Sequence, residues 1–259
     1  MDWRKILLVA IISSLSISSA IPASHQTVVV ERSLNKLSQQ QVQKLAAAIT
    51  VKILSGGFLG SGILVHQDGH VYTVLTNAHV LRSSKPPYRI QTPDGQVYAA
   101  SFPVEKLHVN SLPEDADLAL LEFRSSKRKY QVAFLGSSSN LNIGNEVFAA
   151  GFPVDTQGFV DRGFSLKVGE ISLVLDKALE GGYRIGYTND IQKGMSGGPL
   201  LNRAGEVVAI NGMHAEPLWG NPYVYQDGTE PDRDLRLEME RYSWGIPMEI
   251  YVHQRKGKG

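Results

Sequence analysis

The feature that most restricts what this chain can fold into is a change of hydrophobic period near residue 50. From 38 to 49, Val42, Leu45, Ala46 and Ile49 recur at helical spacing behind Ser38, a residue type that caps helix starts. This predicts one short amphipathic helix. Beyond it the apolar residues come in short runs rich in Val, Ile, Leu, Phe and Tyr, cut by clusters of Gly, Asp, Asn and Ser. Such a pattern belongs to an all-β sandwich or barrel. Candidate strands are 50–54, 61–65, 71–76, 88–92, 97–101, 118–123, 132–135, 146–151, 164–175, 183–188, 199–201 and 207–211. Asp68-Gly69 and Asp94-Gly95 sit between extended runs, as hairpin turns require.

Twelve short strands within about 160 residues exceed one small barrel, so two β-domains are expected. Residues 124–129, Arg-Ser-Ser-Lys-Arg-Lys, are polar throughout and form the candidate linker. Ahead of the helix, Arg4 and Lys5 precede an apolar run from 6 to 20, with Ser18 and Ala20 at small-residue cleavage positions. This reads as a secretory signal peptide over 1–23, with the mature chain starting near Ile21 or Ser24. The alternative, an uncleaved anchor, has a run interrupted by serines and short of a ~20-residue bilayer span. The expected organisation is therefore a signal peptide (1–23), an extension with the helix (24–49), a first barrel (50–129) and a second (130–259). A secreted or periplasmic address follows, with no stable membrane association after cleavage.

Twenty-six Lys and Arg against 25 Asp and Glu leave a formal charge of +1, which gives no electrostatic footprint for nucleic acid. The chain has no cysteine. Disulfides, thiolate nucleophiles and Cys-ligated metals are thereby excluded, and any covalent nucleophile is an oxygen or a nitrogen. The sharpest candidate is Ser196 in Gly194-Met195-Ser196-Gly197-Gly198-Pro199. Flanking glycines permit backbone conformations that expose a hydroxyl and bring N–H groups near a substrate oxygen. The plain alternative is a tight turn with an exposed serine.

A serine hydroxyl needs a histidine base and a carboxylate that sets the histidine tautomer. Of seven histidines, His79 lies just past the apolar run 71–76, where a side chain is held rigidly. Asp117 stands at the mouth of Leu118-Ala119-Leu120-Leu121, with Asp115 as its rival of equal parity. Taken singly, each also reads as a surface histidine or a strand-capping aspartate.

Together, Thr76-Asn77-Ala78-His79, Asp117-Leu118-Ala119-Leu120 and Gly194-Met195-Ser196-Gly197-Gly198-Pro199 resemble the three signatures of the trypsin-like (chymotrypsin-fold) serine proteases, in the same order. The resemblance implies two six-stranded antiparallel β-barrels with the site between them, and short helices near the N- and C-terminal ends of the fold. It implies Ser196 as nucleophile, His79 as base, Asp117 as its orienting partner and the N–H groups of Gly194 and Ser196 as oxyanion hole. No metal or cofactor enters that mechanism, and the partner is a polypeptide substrate. Met195 stands where digestive members carry an aspartate that pairs with a newly cut N-terminus. That activation is closed to this chain, which in this and in lacking cysteine resembles bacterial secreted members.

Asp190, six residues before Ser196, holds the position that in trypsin selects Lys or Arg; its plain alternative is a polar turn. Asn211 and His214 form a second option, recognition of an acidic side chain, and Lys193 is a further substrate-binding candidate. Residues 215–241 form a long segment with Trp219, Tyr223 and Tyr225, then Asp227, Glu230, Asp232 and Asp234. It is read either as a lid or as a surface excursion, with calcium binding disfavoured because ligand spacing is irregular. His66 and His70 read as turn residues. Only a dozen residues follow 242–247, so the expectation is a self-contained monomer without an appended peptide-binding domain. The rivals to a serine endopeptidase are a catalytically silent binding protein of the same fold and an esterase using the same triad.

Overall fold

The computed structural model describes residues 36–256 except 84, 104–111, 114, 156–159 and 215–221. The signal-peptide reading lies outside the described residues.

Ser38 caps α1 (Gln39–Ile49) as its spacing predicts. Its hydroxyl accepts from Gln41 N at 3.3 Å, while its own N–H donates to Gln41 Oε1 at 2.8 Å. Two orphan donors of the first turn are thus satisfied reciprocally. The apolar stripe Val42, Ala46 and Ile49 is buried. Thr50 ends the helix in extended conformation and passes directly into the first strand.

Twelve strands follow. β1 (Thr50–Ser55), β2 (Gly57–Asp68), β3 (Val71–Thr76), β4 (Tyr88–Gln91), β5 (Val97–Ser101) and β6 (Ala119–Arg124) close in the order β1-β2-β3-β6-β5-β4. β7 (Glu146–Gly151), β8 (Ser165–Val174), β9 (Ile185–Tyr187), β10 (Pro199–Leu201), β11 (Val207–Met213) and β12 (Ser243–Pro247) close as β10-β11-β12-β9-β8-β7. Every pairing is antiparallel. The expected pair of six-stranded barrels is the observed architecture.

Three apolar clusters hold it. Val51, Ile53, Leu64, Tyr72, Val74, Leu121 and Phe123 fill the first barrel. Val147, Ala149, Ile171, Ile185, Tyr187, Leu200 and Val208 fill the second. The third joins them, with Ile63, Leu75, Leu118 and Leu120 from one barrel meeting Phe148, Ala150, Leu201, Ile210 and Trp244 from the other, and α1 lying in the same cluster. Each such side chain contributes about 1.5–3 kcal/mol by leaving water, so the seam is held by the same force as the cores.

Two local expectations differ from the structure. Residues 132–135 form no strand; Leu135 makes a single bridge to Val207. Ala133 N donates to Leu64 O in the first barrel, and Phe134 O accepts from Val207 N in the second. A segment bonded to both barrels cannot join the ladder of either, and its apolar residues lie on the crossing. The twelfth strand is instead β12, with Trp244 fully buried. The long segment also contains α3 (Arg233–Met239), capped by Asp232, which accepts from Asp234 N and Leu235 N. Seven residues are too few to display a helical repeat. A short α2 (Ala78–Arg82) follows β3, and α4 (Glu249–Lys256) closes the described chain.

Replacing Ser38 by Ala removes the cap for about 1 kcal/mol. In a chain of this size the thermal midpoint is expected to fall by about 2–4 °C with the barrels intact. A scanning calorimetry trace of S38A that overlays the parent would show the cap to be energetically idle.

Candidate active site

His79 is carried on the first turn of α2, not on a strand end, and the turn is built around Asp117. Asn77, in extended conformation at the helix start, donates from Nδ2 to Asp117 O at 2.9 Å, and Ala78 N donates to the same carbonyl at 3.2 Å. His79 N donates to Asp117 Oδ1 at 2.8 Å and its ring Nδ1 lies 2.5 Å from Oδ2. A carboxylate only accepts, so Nδ1 carries the proton and Nε2 is left as an acceptor. Two further donors complete the set: Arg82 Nη2 to Oδ1 at 3.1 Å and Tyr183 OH to Oδ2 at 2.6 Å. Burial acts to raise the pKa of the Asp117 carboxyl, but the donors led by His79 outweigh it and hold the group below its ordinary value.

Asp117 also binds the second barrel through its backbone, donating to Gly181 O at 2.9 Å. The rival Asp115 is exposed and accepts from Gln226. It has no bond to the histidine.

The serine turn is fixed by close approach. Gly197 has φ +83, and a Cβ there would sit 2.2 Å from both Ser61 O and Thr76 Oγ1. Only glycine fits such a left-handed, crowded position. Ser61, from β2 of the first barrel, donates its N–H to Ser196 O at 2.9 Å and its hydroxyl to Gly194 O at 2.8 Å. The same hydroxyl accepts from Phe152 N at 3.0 Å. Met195 is fully buried in the core of the second barrel, so apolar burial holds the position next to the serine. Ser196 Oγ donates to Gly212 O at 3.2 Å and not to His79. Among the described residues, neither the Gly194 nor the Ser196 N–H has an intramolecular acceptor. Lys193 O accepts from Val154 N at 2.9 Å, which fixes that peptide plane with the Gly194 N–H on its opposite side.

The remaining expected residues divide. Asn211, expected beside the substrate pocket, is fully buried within the second barrel. Its Nδ2 donates to Ala150 O and Pro199 O, and its Oδ1 accepts from Tyr187. This correction has a simple cause: the amide is fully buried and both of its N–H donors complete backbone acceptors between strands. Asp190 is not enclosed. Its side chain is 71% exposed, lies 3.6 Å from Lys167 Nζ and accepts from Gln192. Lys193 is exposed beside the glycine turn. His214, half-buried after β11, has its pKa lowered by burial, with Asp190 acting in the opposite sense and His79 in the same one. The fields of His79 and of Asp190 therefore meet at His214.

In the long segment Tyr223 is buried edge-on against Trp244 and donates to Met239 O, so it packs inward. Tyr225 lies beneath Lys177 Nζ, and Trp219 lies outside the described residues. Asp227 pairs with Lys177 while Asp232 caps α3, and among the described residues no three His, Asp or Glu side chains cluster to hold a metal. Sequence reasoning missed Tyr183, Ser61, Arg82, Asn77 and Gly212. Their signal is tertiary, apart from Arg82, one helical turn after His79.

A family model described as Trypsin-like peptidase domain matches residues 60–210. "Serine protease HTRA1" of Xenopus laevis is 35% identical over 162 residues, covering 59% of this chain and 30% of that protein. "Putative serine protease HhoA" of Synechocystis sp. is 33% identical over 155 residues (59% and 36%), and "Putative protease Do-like 14" of Arabidopsis thaliana is 35% identical over 170 residues (62% and 37%). The chain thus matches about a third of the length of these relatives. Among solved structures, "HtrA-type protease AlgW with tripeptide" superposes with a TM-score of 0.59 at 21% identity, over 83% of this chain and 62% of that one.

Two outcomes follow from the geometry. Gly197→Ala is expected to cost at least ~2 kcal/mol through strain and contact, against ~1 kcal/mol or less for Gly69→Ala, whose φ is +54 with nothing near the added Cβ. Chemical denaturation of the two variants checks this, and equal losses would refute the close-approach account. Because the folded Asp117 pKa is depressed, its stabilisation is present above the ordinary value of 3.8 and is lost as pH falls through the lower folded value. The acid side of the stability profile is therefore expected to be shallower in Asp117→Asn, measured by urea midpoints between pH 2 and 5.

Proposed function

The chain belongs to the trypsin-like peptidase family, and we propose on that premise that it is a serine endopeptidase that cleaves polypeptides through an acyl-enzyme. The observation that carries the reading is one continuous set of contacts spanning both barrels: Ser196 Oγ on Gly212 O, the Tyr183 hydroxyl packed at Gly212, and that hydroxyl on Asp117, which grips His79.

In the proposed cycle, Ser196 Oγ leaves the Gly212 carbonyl and turns to His79 Nε2, the ring nitrogen left free by the bond of Nδ1 to Asp117. The hydroxyl attacks the scissile carbonyl as Nε2 takes its proton, and the imidazolium passes that proton to the leaving amine. Asp117 stays ionised and stabilises the imidazolium. The unengaged N–H groups of Gly194 and Ser196 hold the tetrahedral oxyanion, each worth about 3 kcal/mol of barrier. Water then attacks the acyl carbonyl as Nε2 takes its proton, and the collapse breaks the bond to Oγ, which receives that proton from the imidazolium while the acid product leaves.

The preference for Lys or Arg is assigned to Asp190 acting from the rim. An exposed carboxylate shared with Lys167 is worth at most ~1 kcal/mol to a basic substrate side chain, so the preference is several-fold. The leader-like segment 1–23 supports an extracytoplasmic site of action.

A fluorophosphonate is expected to label Ser196 in the purified protein, located by mass spectrometry, and to leave Ser196→Ala unlabelled. That variant is expected to lose at least about 10⁴-fold in peptide turnover. Its thermal midpoint should stay within about 2 °C of the parent, because a half-buried hydroxyl contributes little packing. Folded protein without an adduct would favour a binding-only member, and ester turnover without peptide cleavage an esterase. Asp190→Ser is expected to lower kcat/KM for Lys and Arg substrates by less than tenfold while sparing others; an unchanged cleavage profile removes Asp190 from specificity.

A further inference from the structure

We propose that Tyr183 is the positioning residue of the triad: its hydroxyl, reaching from the second barrel, fixes the rotation of the Asp117 carboxylate and thereby the plane of the His79 ring. The position opposite, Gly212, is glycine because that hydroxyl fills the space a side chain would need. The inference rests on the proteolytic reading above and adds a residue to it.

The argument starts from the four acceptor sites of the carboxylate. Oδ1 takes His79 N at 2.8 Å and Arg82 Nη2 at 3.1 Å; Oδ2 takes His79 Nδ1 at 2.5 Å and Tyr183 OH at 2.6 Å. The Nδ1 bond comes from the ring being oriented, and the His79 main-chain N–H, carried by α2, anchors Oδ1 alone, so a second anchor at Oδ2 is needed to fix the rotation of the carboxylate. Arg82 comes from the same helix, and its side chain is 69% exposed, where water can replace it. Tyr183 alone is buried and belongs to the other barrel. Its ring lies between two glycines. A Cβ at Gly212 would stand 2.4 Å from the hydroxyl oxygen and 2.5 Å from Cε1, and one at Gly181 would stand 2.9 Å from Cε2. The backbone is fixed as well, with Leu179 N donating to Tyr183 O and Asp117 N to Gly181 O.

Gly212 has a second part, because its carbonyl accepts the Ser196 hydroxyl. The phenol therefore touches the residue that parks the nucleophile and the residue that orients the base. Burial first, then the Asp117 charge, push the Tyr183 pKa well above its ordinary value, so the phenol stays a donor throughout the neutral range. The other groups whose fields reach this cluster are Arg82, Tyr187, and His214 with Asp190.

The test is Tyr183→Phe in the full chain, which keeps the ring and removes one donor. Peptide kcat is expected to fall about 10- to 100-fold, less than the ~10⁴-fold of changing a triad aspartate, with KM changing less than twofold because the phenol touches no substrate. The carboxylate, no longer sharing its charge with the phenol, attracts the imidazolium more strongly. The acid limb of kcat/KM is therefore expected to move to higher pH, by up to about one unit. The low-field proton resonance of His79 Nδ1–H is expected to shift with it, whereas Arg82→Gln moves neither by a comparable amount. A lower thermal midpoint with unchanged kcat, pH profile and resonance would overturn the proposal and leave Tyr183 as packing only. A second comparison uses Tyr183→Ala against Tyr183→Ala/Gly212→Ser, where the vacated space admits a serine hydroxyl near Oδ2. At least tenfold recovery in the double variant is expected, and no recovery counts against a donor role. If the parent itself takes no fluorophosphonate, the proteolytic reading fails while the resonance comparison, which needs no turnover, still decides the role of Tyr183.

Discussion

The structure turns on a charge placed where burial disfavours it. The Asp117 carboxylate sits at the seam between two barrels, and an ionised group there is tolerable only when its acceptor sites are filled. Four donors fill them, and they come from both sides: His79 and Arg82 from the helix after β3, Tyr183 from the turn before β9. Their net effect keeps the carboxyl ionised below its ordinary range. The tautomer of His79 is set by Asp117 within the first barrel, and the second barrel reaches that carboxylate through Tyr183. A small rotation of one barrel against the other would leave Asp117 short of a donor before it disturbed either core.

The proposed nucleophile, Ser196, is held at the same seam. Ser61 belongs to the first barrel, yet its N–H and hydroxyl hold the carbonyls of Ser196 and Gly194 in the second. Thr76 donates to Ser61 O at 2.8 Å, and both atoms press against Gly197. His79 is thus held by Asp117 of its own barrel with Tyr183 of the other behind it, and Ser196 is held by Ser61 across the seam. The apolar cluster of Ile63, Leu75, Leu118 and Leu120 against Phe148, Leu201 and Trp244 supplies the adhesion that makes this mutual fixing possible.

How much of this was legible in the sequence depends on the range over which each signal acts. Strands such as 71–76 and 146–151 were readable because a short apolar run bounded by Gly and Asn is a local signal, and α1 because Ser38 and its stripe are local too. The segments around Ser196 and Asp117 stood out because close approach forces glycines at 197 and 198 and because an apolar strand follows Asp117. Residues 132–135 misled because an apolar run says nothing about which of two sheets it bonds. Asn211 misled for a related reason: a polar residue on a strand can face a ligand or complete neighbouring carbonyls, and only the fold decides. Tyr183 left no local trace, since its partner lies 66 residues away and its space is made by glycines at 181 and 212.

Met195 shows what replaces an ion pair in ordering such a turn. A buried aspartate bound to a new N-terminus would make the turn conditional on a cut and on the charge state of two groups. Here the thioether side chain is fully buried among Ile191, Leu200 and Val208, and its backbone presses against Gly151, where a Cβ would lie 2.8 Å from Met195 Cα. Apolar burial has no titration and little dependence on salt near neutrality. Order in the turn is then coupled to the core of the second barrel and, through Ser61, to the seam. The turn 194–199 itself carries no acidic or basic side chain, so its order rests on packing and on the hydrogen bonds from Ser61.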